Sequence, residues 1–456
     1  MITTQWSPFF DGWIIAVAAA CAVACTLPGC FLVLRRQSML GDALSHAVLP
    51  GIAIGFLVTG SRANWIMFVG AIIAALVTVL LTQWLGKRAR VDHGAAMGVV
   101  FTTLFALGVV LIVRGADSVE LDPHIVLYGA LELTPLDLIS IGPVAVPRAF
   151  VMLAGVVVAN LLVITLLFKE FRIAAFDPEL AKSLGLKPEL MHALLMGMTA
   201  VTTVAAFEAV GSIIVVAMLV VPASCARLLV GNLRGMLGLA MLFALATAIF
   251  GHLVAVELPH RFGFGSVPTA GAMATVAGLL LVAVVLANPR GGVLAILRAR
   301  WAFHLRTTRE DLLALAWRLE ERGSPTTSHD LCGQLTAVRG LSTTLTAHCL
   351  RRLCRNGLLI EEDGSMRLTS EGRHQAGSLV RSHRLWEAWL AEAAGIAPDH
   401  VHESAMRLEH VTDQRMREQL AKEAGTPGVD PHGRPIPEVD DSGSKGGKAH
   451  MRKTKK

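Results

Sequence analysis

The sequence lacks a cysteine framework. It holds seven cysteines in 456 residues, and no two of them form a Cys-x-x-Cys pair. Four lie in or beside apolar segments and three are scattered in a polar part of the chain: Cys21, Cys25, Cys30 and Cys225, then Cys332, Cys349 and Cys354. This pattern excludes a disulfide-stapled scaffold and a zinc ribbon, and it favours small buried side chains or free cytosolic thiols.

Charge is scarce in the first part of the chain. Between Gly12 and Ala287 the charged residues fall in short clusters between long runs of Ala, Val, Leu, Ile, Gly and Met. No basic segment precedes the first of these runs, so a cleavable signal peptide is not predicted. From Trp301 onward the composition is that of a soluble protein. The contrast predicts a membrane domain over residues 1–290, followed by a soluble extension.

Nine apolar runs approach the roughly 20 residues that a membrane-spanning helix needs. The predicted spans are Trp13–Leu34, Ala43–Thr59, Asn64–Leu85, Ala95–Val113, Ala149–Phe168, His192–Ala206, Gly211–Val230, Met236–Val256 and Thr269–Ala287. The sixth and seventh are separated by only four residues, which indicates a tight reversal or a broken helix. The expected fold is therefore an all-α polytopic membrane domain of eight or nine transmembrane helices.

Basic residues orient these spans. Arg35 and Arg36 follow the first span, and further Lys and Arg clusters follow the third, fifth, seventh and ninth. The longest opposite loop, Gly115–Pro147, is net acidic. The positive-inside rule then places the N-terminus outside and the C-terminus in the cytoplasm.

Two ionisable sites interrupt the apolar runs. Asp42 and His46 are four residues apart, so they share one helix face, where they either hold a divalent cation in a transport pathway or leave Asp42 as a helix N-cap. Glu208 lies beside Gly211 between apolar residues. It either lines a cation route or sits in a short outer loop.

A short helix is predicted in the longest internal loop. Asp177 is a good N-cap, Pro178 suits the first helical position and Gly185 suits a C-terminal stop. Such an exposed cytoplasmic helix suits the docking of a motor subunit, or it is an interfacial connector.

The segments Gly41–Gly51, Phe176–Leu186 and Val210–Arg227 together resemble the permeases of ABC transporters that import manganese, zinc or iron, over about Trp13–Pro289. The resemblance implies a homodimeric or paired permease and an extracytoplasmic metal-binding protein. It also implies a separate ATPase that docks at Phe176, Asp177, Pro178, Glu179 and Gly185. The chain holds no Gly-x-x-x-x-Gly-Lys-Ser/Thr loop, so it is not expected to be an enzyme, and ATP hydrolysis is expected from another subunit.

The extension divides by pattern into four parts. Residues 291–304 read as a basic linker and residues 439–456 as a disordered basic tail. Between them, three helices (Thr307–Gly323, Thr326–Gln334 and Ser342–Asn356) and a hairpin (Leu358–Glu362 with Met366–Thr369) predict a winged helix-turn-helix over 305–372. A helical segment follows over 373–438. DNA is a possible partner of the winged helix, through Arg339, Arg351, Arg352 and Arg355.

Candidate metal ligands follow the winged helix. His383 and Glu387 are one turn apart, and His402, Met406, Glu409 and His410 fall on a single helical stripe. Such donors suit divalent Mn, Fe, Co or Zn. The alternative is a solvated polar face beside a buried stripe of Val401, Ala405 and Leu408.

Thr307–Pro437 resembles the metal-dependent repressors of the diphtheria toxin repressor type. The segments Arg381–Glu387, Val401–His410 and Asp430–Pro437 carry the resemblance. It implies that His383, Glu387, His402 and His410 occupy ligand positions, and that Asp311, Met406 and Glu409 complete a second or paired site. Met406 stands where a cysteine or a carboxylate is usual.

The sequence thus predicts a divalent-metal permease subunit fused to a cytoplasmic metal sensor that damps transport. The metal, Mn²⁺, Fe²⁺ or Zn²⁺, would be both substrate and sensor ligand. The rival hypothesis is a membrane-tethered, metal-dependent transcription regulator.

Overall fold

A computed structural model gives the fold of the chain. It describes residues 6–37, 41, 43, 47, 49–59, 64–89, 92–115, 131–141, 143–263, 267–289, 291–324, 326–425 and 427–438. The predicted tail, residues 439–456, lies outside these ranges. The chain divides into two compact units, 1–295 and 296–456, and the finer domain boundaries stay predictions.

The first unit is built from helices, most of which are apolar. They are α1 Pro8–Leu34, α2 Leu49–Thr59, α3 Asn64–Ala89, α4 His93–Gly115, α5 Arg148–Leu166, α6 Phe168–Phe176, α7 Pro178–Ser183, α8 Pro188–Val210, α9 Ser212–Leu229, α10 Leu233–Phe262 and α11 Thr269–Ala287. A 3₁₀ turn at Leu131–Leu136 and a hairpin of β1 Leu138–Ile141 and β2 Val144–Pro147 precede α5.

Eight helices among the described residues are long and apolar enough to cross a membrane, which confirms the polytopic prediction. The second predicted span, Ala43–Thr59, is described only in part, and α2 covers its end. Gly211 alone separates α8 from α9 and has a φ of 83°. The described chain therefore has a broken helix where the sixth predicted span meets the seventh.

Polar side chains join the helices inside this unit. The Thr26 hydroxyl donates to the Met218 carbonyl oxygen at 3.0 Å, tying α1 to α9. The Asn160 amide lies 2.8 Å from the Thr202 hydroxyl oxygen, tying α5 to α8. Hydrogen bonds of this kind assist helix association where the surroundings are as apolar as the side chains, because hydrophobic burial then drives little.

The second unit combines helices with one hairpin. Its elements are α12 Val293–Glu321, α13 Ser328–Arg339, α14 Thr343–Arg355, β3 Leu359–Glu362, β4 Ser365–Leu368, α15 Ser370–Glu392, α16 Val401–Leu408, a 3₁₀ turn at Glu409–Val411, and α17 Gln414–Glu423. Three helices and an antiparallel wing therefore follow in the predicted order. Asp363 and Gly364 both have positive φ in the turn of the wing.

Capping residues explain the helix starts of this unit. Thr327 and Asp330 form a capping box at α13, and Ser342 caps α14. The predicted start of the first helix is wrong: α12 begins at Val293 rather than Thr307 and so runs through most of the predicted linker. Thr307 and Thr308 direct their hydroxyls to the carbonyl oxygen of His304 within the helix instead of capping it.

Candidate metal centres in the C-terminal unit

A first cluster joins two helices of the second unit. His383 and Glu387 lie one turn apart on α15, and His402 lies in the first turn of α16. His383 Nε2 is 3.1 Å from Glu387 Oε1. His402 Nδ1 is 3.0 Å from His383 Nε2 and 2.8 Å from Glu387 Oε1. Donors bound to one ion at about 2.1 Å and at right angles lie about 3 Å apart. These three atoms therefore fit around a single divalent cation.

Burial and hydrogen bonds set the ionisation state of the Glu387 carboxylate in this first cluster. Its side chain is 3% exposed. Burial by itself would raise the pKa of Glu387, but the hydrogen bonds from His383 and His402 outweigh it and hold the pKa well below its usual range. The carboxylate is therefore ionised at neutral pH, which is the form that binds a metal.

The far side of His383 faces a second carboxylate. His383 Nδ1 lies 2.7 Å from Glu409 Oε2, but the two atoms are not aligned as a hydrogen bond, and both are buried without a hydrogen-bond partner. Histidines that bind metals typically donate their other ring N–H to a carboxylate, and Glu409 is the carboxylate near enough to His383 for this contact. Glu409 is thus placed to orient His383 toward the first cluster.

A second cluster consists of Asp311, Glu409 and His410. His410 Nε2 lies 3.2 Å from Asp311 Oδ1 and 3.6 Å from Glu409 Oε1. His410 Nδ1 lies 2.8 Å from Glu310 Oε2. Burial by itself lowers the pKa of His410, but the hydrogen bonds to Asp311 and Glu310 outweigh it and raise the pKa to about 9. The imidazole is therefore protonated at neutral pH in this arrangement.

The predicted single stripe from His402 to His410 is wrong. Helix α16 ends at Leu408 and Glu409–Val411 form a 3₁₀ turn, which rotates the later side chains away from the helical register. His402 joins His383 and Glu387, whereas Glu409 and His410 join Asp311. Met406 lines a cavity of about 440 Å³ that Asp311, Glu387 and His402 also line.

Arg339, a predicted DNA contact, lies against the second cluster. Its Nη2 is 2.7 Å from Asp311 Oδ1 and 3.4 Å from His410 Nε2, and its side chain is 23% exposed. The DNA contact of Arg339 stays a prediction, and making it would require this side chain to leave Asp311. Arg351, Arg352 and Arg355 are exposed on α14.

Glu310 and Arg318 were not predicted as parts of the site. Glu310 contacts His410, and Arg318 Nη2 lies 3.9 Å from Glu409 Oε2. Glu310 precedes the predicted ligand Asp311 directly, and this pair of acids was the sequence feature that could have indicated Glu310. No local pattern indicated that Arg318 belongs to the site, because 90 residues separate it from Glu409 in the sequence.

The predicted pathway residues of the first unit are only partly described. Asp42 and His46 lie outside the described residues. Glu208 lies in the last turn of α8 rather than in a loop. The predicted docking residues take the expected form: the Asp177 carboxylate accepts a hydrogen bond from the Leu180 amide at 2.9 Å, and Gly185 has a φ of 76°.

A polar cluster elsewhere in the first unit was missed. His252, 2% exposed on α10, places Nε2 3.1 Å from Asp11 Oδ1 on α1. Its Nδ1 is 3.3 Å from the Thr269 hydroxyl, and the Thr269 amide donates to Glu132 at 2.6 Å. A lone histidine inside an apolar run was the available signal.

Comparison with known proteins places the first unit. Residues 10–288 match the ABC 3 transport family, which covers more than half of the chain. The chain belongs to the ABC 3 transport family. Residues 369–438 of this ABC 3 protein match a second family, described as the iron dependent repressor, metal binding and dimerisation domain. Both resemblances inferred from the sequence are confirmed.

Curated relatives and a solved structure agree with this assignment. The manganese transport system membrane protein MntD of Bacillus subtilis is 43% identical over 62% of this chain and 94% of its own length. The zinc transport system membrane protein TroD of Treponema pallidum is 37% identical over 79% of this chain and 96% of its own length. The structure of PsaBC from Streptococcus pneumoniae in complex with Fab has a TM-score of 0.50, with 28% identity over 62% of this chain and 92% of that one.

Proposed function

We propose that this chain is the membrane-spanning subunit of an ATP-driven importer of divalent metal ions, with a metal-sensing extension on the cytoplasmic side. The observation that carries the proposal is the convergence of His383, Glu387 and His402 in a chain whose first unit belongs to a transport family. Relatives named for manganese and zinc transport support the same class of ion. The protein transports and senses one kind of ligand, and Mn²⁺, Fe²⁺ and Zn²⁺ all suit these donors.

The transport pathway is proposed to use Asp42, His46 and Glu208. Ionisable side chains are costly inside a membrane and usually mark a route for ions. The first unit would work with a second permease copy or a paralogue, and would receive its ion from an extracytoplasmic metal-binding protein. These partners are typical of importers in which the permease holds no nucleotide site.

The ATPase is proposed to dock on the surface around α7. Phe176 ends α6, Leu180 lies in α7 and Leu184 follows it. All three are between 47% and 59% exposed, so they form a row of exposed apolar side chains along this part of the chain. The N-cap of Asp177 and the stop at Gly185 hold this row in place. Glu179 and Lys182 flank it as an ion pair at 3.3 Å.

Replacing Asp177 by alanine is expected to weaken binding of the ATPase subunit. Loss of a side-chain N-cap costs about 1 kcal/mol, which is a large share of the stability of a six-residue helix. Asparagine also caps helices, so Asp177→Asn should bind the ATPase as the wild type does. Co-purification of the ATPase with each variant checks this, and equal loss in both variants would show that the charge, not the cap, matters.

The extension is proposed to report cytoplasmic metal to the transporter. A triple replacement of His383, Glu387 and His402 by alanine is expected to leave initial metal uptake intact and to abolish its decline as internal metal rises. Uptake of radioactive Mn²⁺ into cells preloaded with graded Mn²⁺ measures this. A triple variant of the exposed residues Arg351, Arg352 and Arg355 serves as control. Uptake that stays equally sensitive to internal metal in the first variant would contradict feedback.

A tethered DNA-binding regulator is the second candidate. The exposed Arg351, Arg352 and Arg355 on α14 favour it, because this helix corresponds to the recognition helix of a winged helix-turn-helix. Metal-dependent, sequence-specific shift of DNA by the 301–456 fragment would favour this candidate. Absence of a shift with and without Mn²⁺ would leave feedback on transport as the role of the extension.

A further inference from the structure

The second cluster already contains a cation supplied by the protein. The Arg339 guanidinium lies 2.7 Å from Asp311 Oδ1, and the same nitrogen is 3.4 Å from His410 Nε2. Asp311 and His410 are two of the three residues that define this cluster as a candidate metal site. An incoming ion and Arg339 would therefore compete for the Asp311 carboxylate.

We propose that Arg339 acts as an internal cation that closes the second cluster, so that each chain takes up one ion at the first cluster and the second cluster opens only when Arg339 is displaced. This inference rests on the proposed metal-sensing role of the His383, Glu387 and His402 cluster. The first cluster has no such internal cation on its carboxylate: within the described residues, no arginine nitrogen is in hydrogen-bond contact with Glu387.

Physical chemistry favours the tethered guanidinium over a dilute ion. An arginine is charged at every physiological pH and forms directional hydrogen bonds to carboxylates. A group held by a short tether acts at an effective concentration on the order of millimolar, which exceeds the free concentration of a trace metal ion. Met406, the neighbouring candidate donor, offers a soft thioether that adds little affinity for Mn²⁺.

The position of Arg339 links this competition to the winged helix. Arg339 is the last residue of α13, and Gly340 follows with a φ of 63° in the turn that leads to α14. The contact of Arg339 with Asp311 thus holds the end of α13 against α12. The 440 Å³ cavity that both residues line gives the displaced side chain room to move. Binding of a second ion would release this turn.

Glu409 connects the two clusters. Its Oε2 lies 2.7 Å from His383 Nδ1, and its Oε1 lies 3.6 Å from His410 Nε2. An ion that draws Glu409 into the second cluster would change the orientation of His383 in the first. Arg339 therefore also protects the geometry of the first cluster.

The test counts Mn²⁺ ions per full-length chain in detergent by equilibrium dialysis. Arg339→Gln is expected to bind one ion more than the wild type, and adding Asp311→Asn to it should remove that extra ion. The count is a difference between variants, so any ions held by the membrane unit cancel. Arg355→Gln, which removes an exposed arginine from α14, is the matched control and should bind as the wild type does.

Two results would overturn the inference. One is an unchanged count in Arg339→Gln. The other is the loss of one ion when Asp311→Asn is made in the otherwise wild-type chain, because the second cluster would then be filled while Arg339 is present. The Asp311→Asn measurement does not depend on the folding of the Arg339 variant. Failure of the proposed sensor is a different result: His383→Ala would then leave the wild-type count unchanged.

Discussion

Replacing Glu387 by glutamine is expected to lower the affinity of the full-length protein for Mn²⁺ at the first cluster by about 100-fold or more. Loss of a residue that only supports a metal ligand typically costs 10- to 100-fold, and Glu387 is proposed to be a ligand itself. Its Oε1 also contacts both His383 and His402. Glutamine keeps the size of the side chain and removes the negative charge.

The measurement is a Mn²⁺ titration of purified protein, followed by the paramagnetic signal of the free ion. Glu392→Gln is the matched control, since Glu392 lies on the same helix α15 and is exposed. It should leave the affinity unchanged. An equal affinity in Glu387→Gln would mean that the three donors do not hold the ion.

Replacing Arg384 by glutamine is expected to lower the free energy of unfolding of the second unit by about 3 kcal/mol, as is typical when one member of a buried ion pair is removed. The buried partner is Asp430, which is 1% exposed and has Oδ2 at 3.8 Å from Arg384 Nε. Arg384 is 2% exposed. Its guanidinium donates to both Glu321 oxygens, at 3.1 and 2.6 Å, and to the Pro435 carbonyl oxygen. It therefore fastens the segment around Asp430–Pro437 to both α12 and α15.

Hydrogen exchange of the full-length protein measures this effect. A loss of about 3 kcal/mol corresponds to an increase of roughly 100-fold in the exchange rate of amides that open with the unit. Arg381→Gln is the matched control, because among the described residues Arg381 makes one hydrogen bond, to the Pro437 carbonyl oxygen at 2.7 Å, worth about 1 kcal/mol. Equal exchange in the two variants would show that the Arg384 ion pair contributes no more than one hydrogen bond.

Local patterns accounted for most helices of both units and for the hairpin of the second, but not for the start of α12 or for the hairpin of β1 and β2. The length of the apolar runs predicted the spans, because a bilayer sets a minimum length for a helix that crosses it. Caps such as Asp177 and Ser342 predicted where helices begin, since their side chains bond to amides two or three positions ahead. The four-residue spacing of His383 and Glu387 predicted a shared face for the same local reason. Resemblance to two families extended these patterns to a function.

Which of the two clusters each remaining candidate ligand joins depended on the tertiary structure. Helical spacing relates residues only while one helix continues, and α16 stops at Leu408, so His402 and His410 fall into different clusters. The role of Arg339 could not be predicted either, because its partners Asp311 and His410 are 28 and 71 positions away. The sequence by itself determined which elements form and which chemistry they carry, through short-range backbone rules. Only long-range packing decided that Arg339, a possible DNA contact by sequence, would lie against Asp311 and His410, because no local rule brings residues so far apart in sequence into contact.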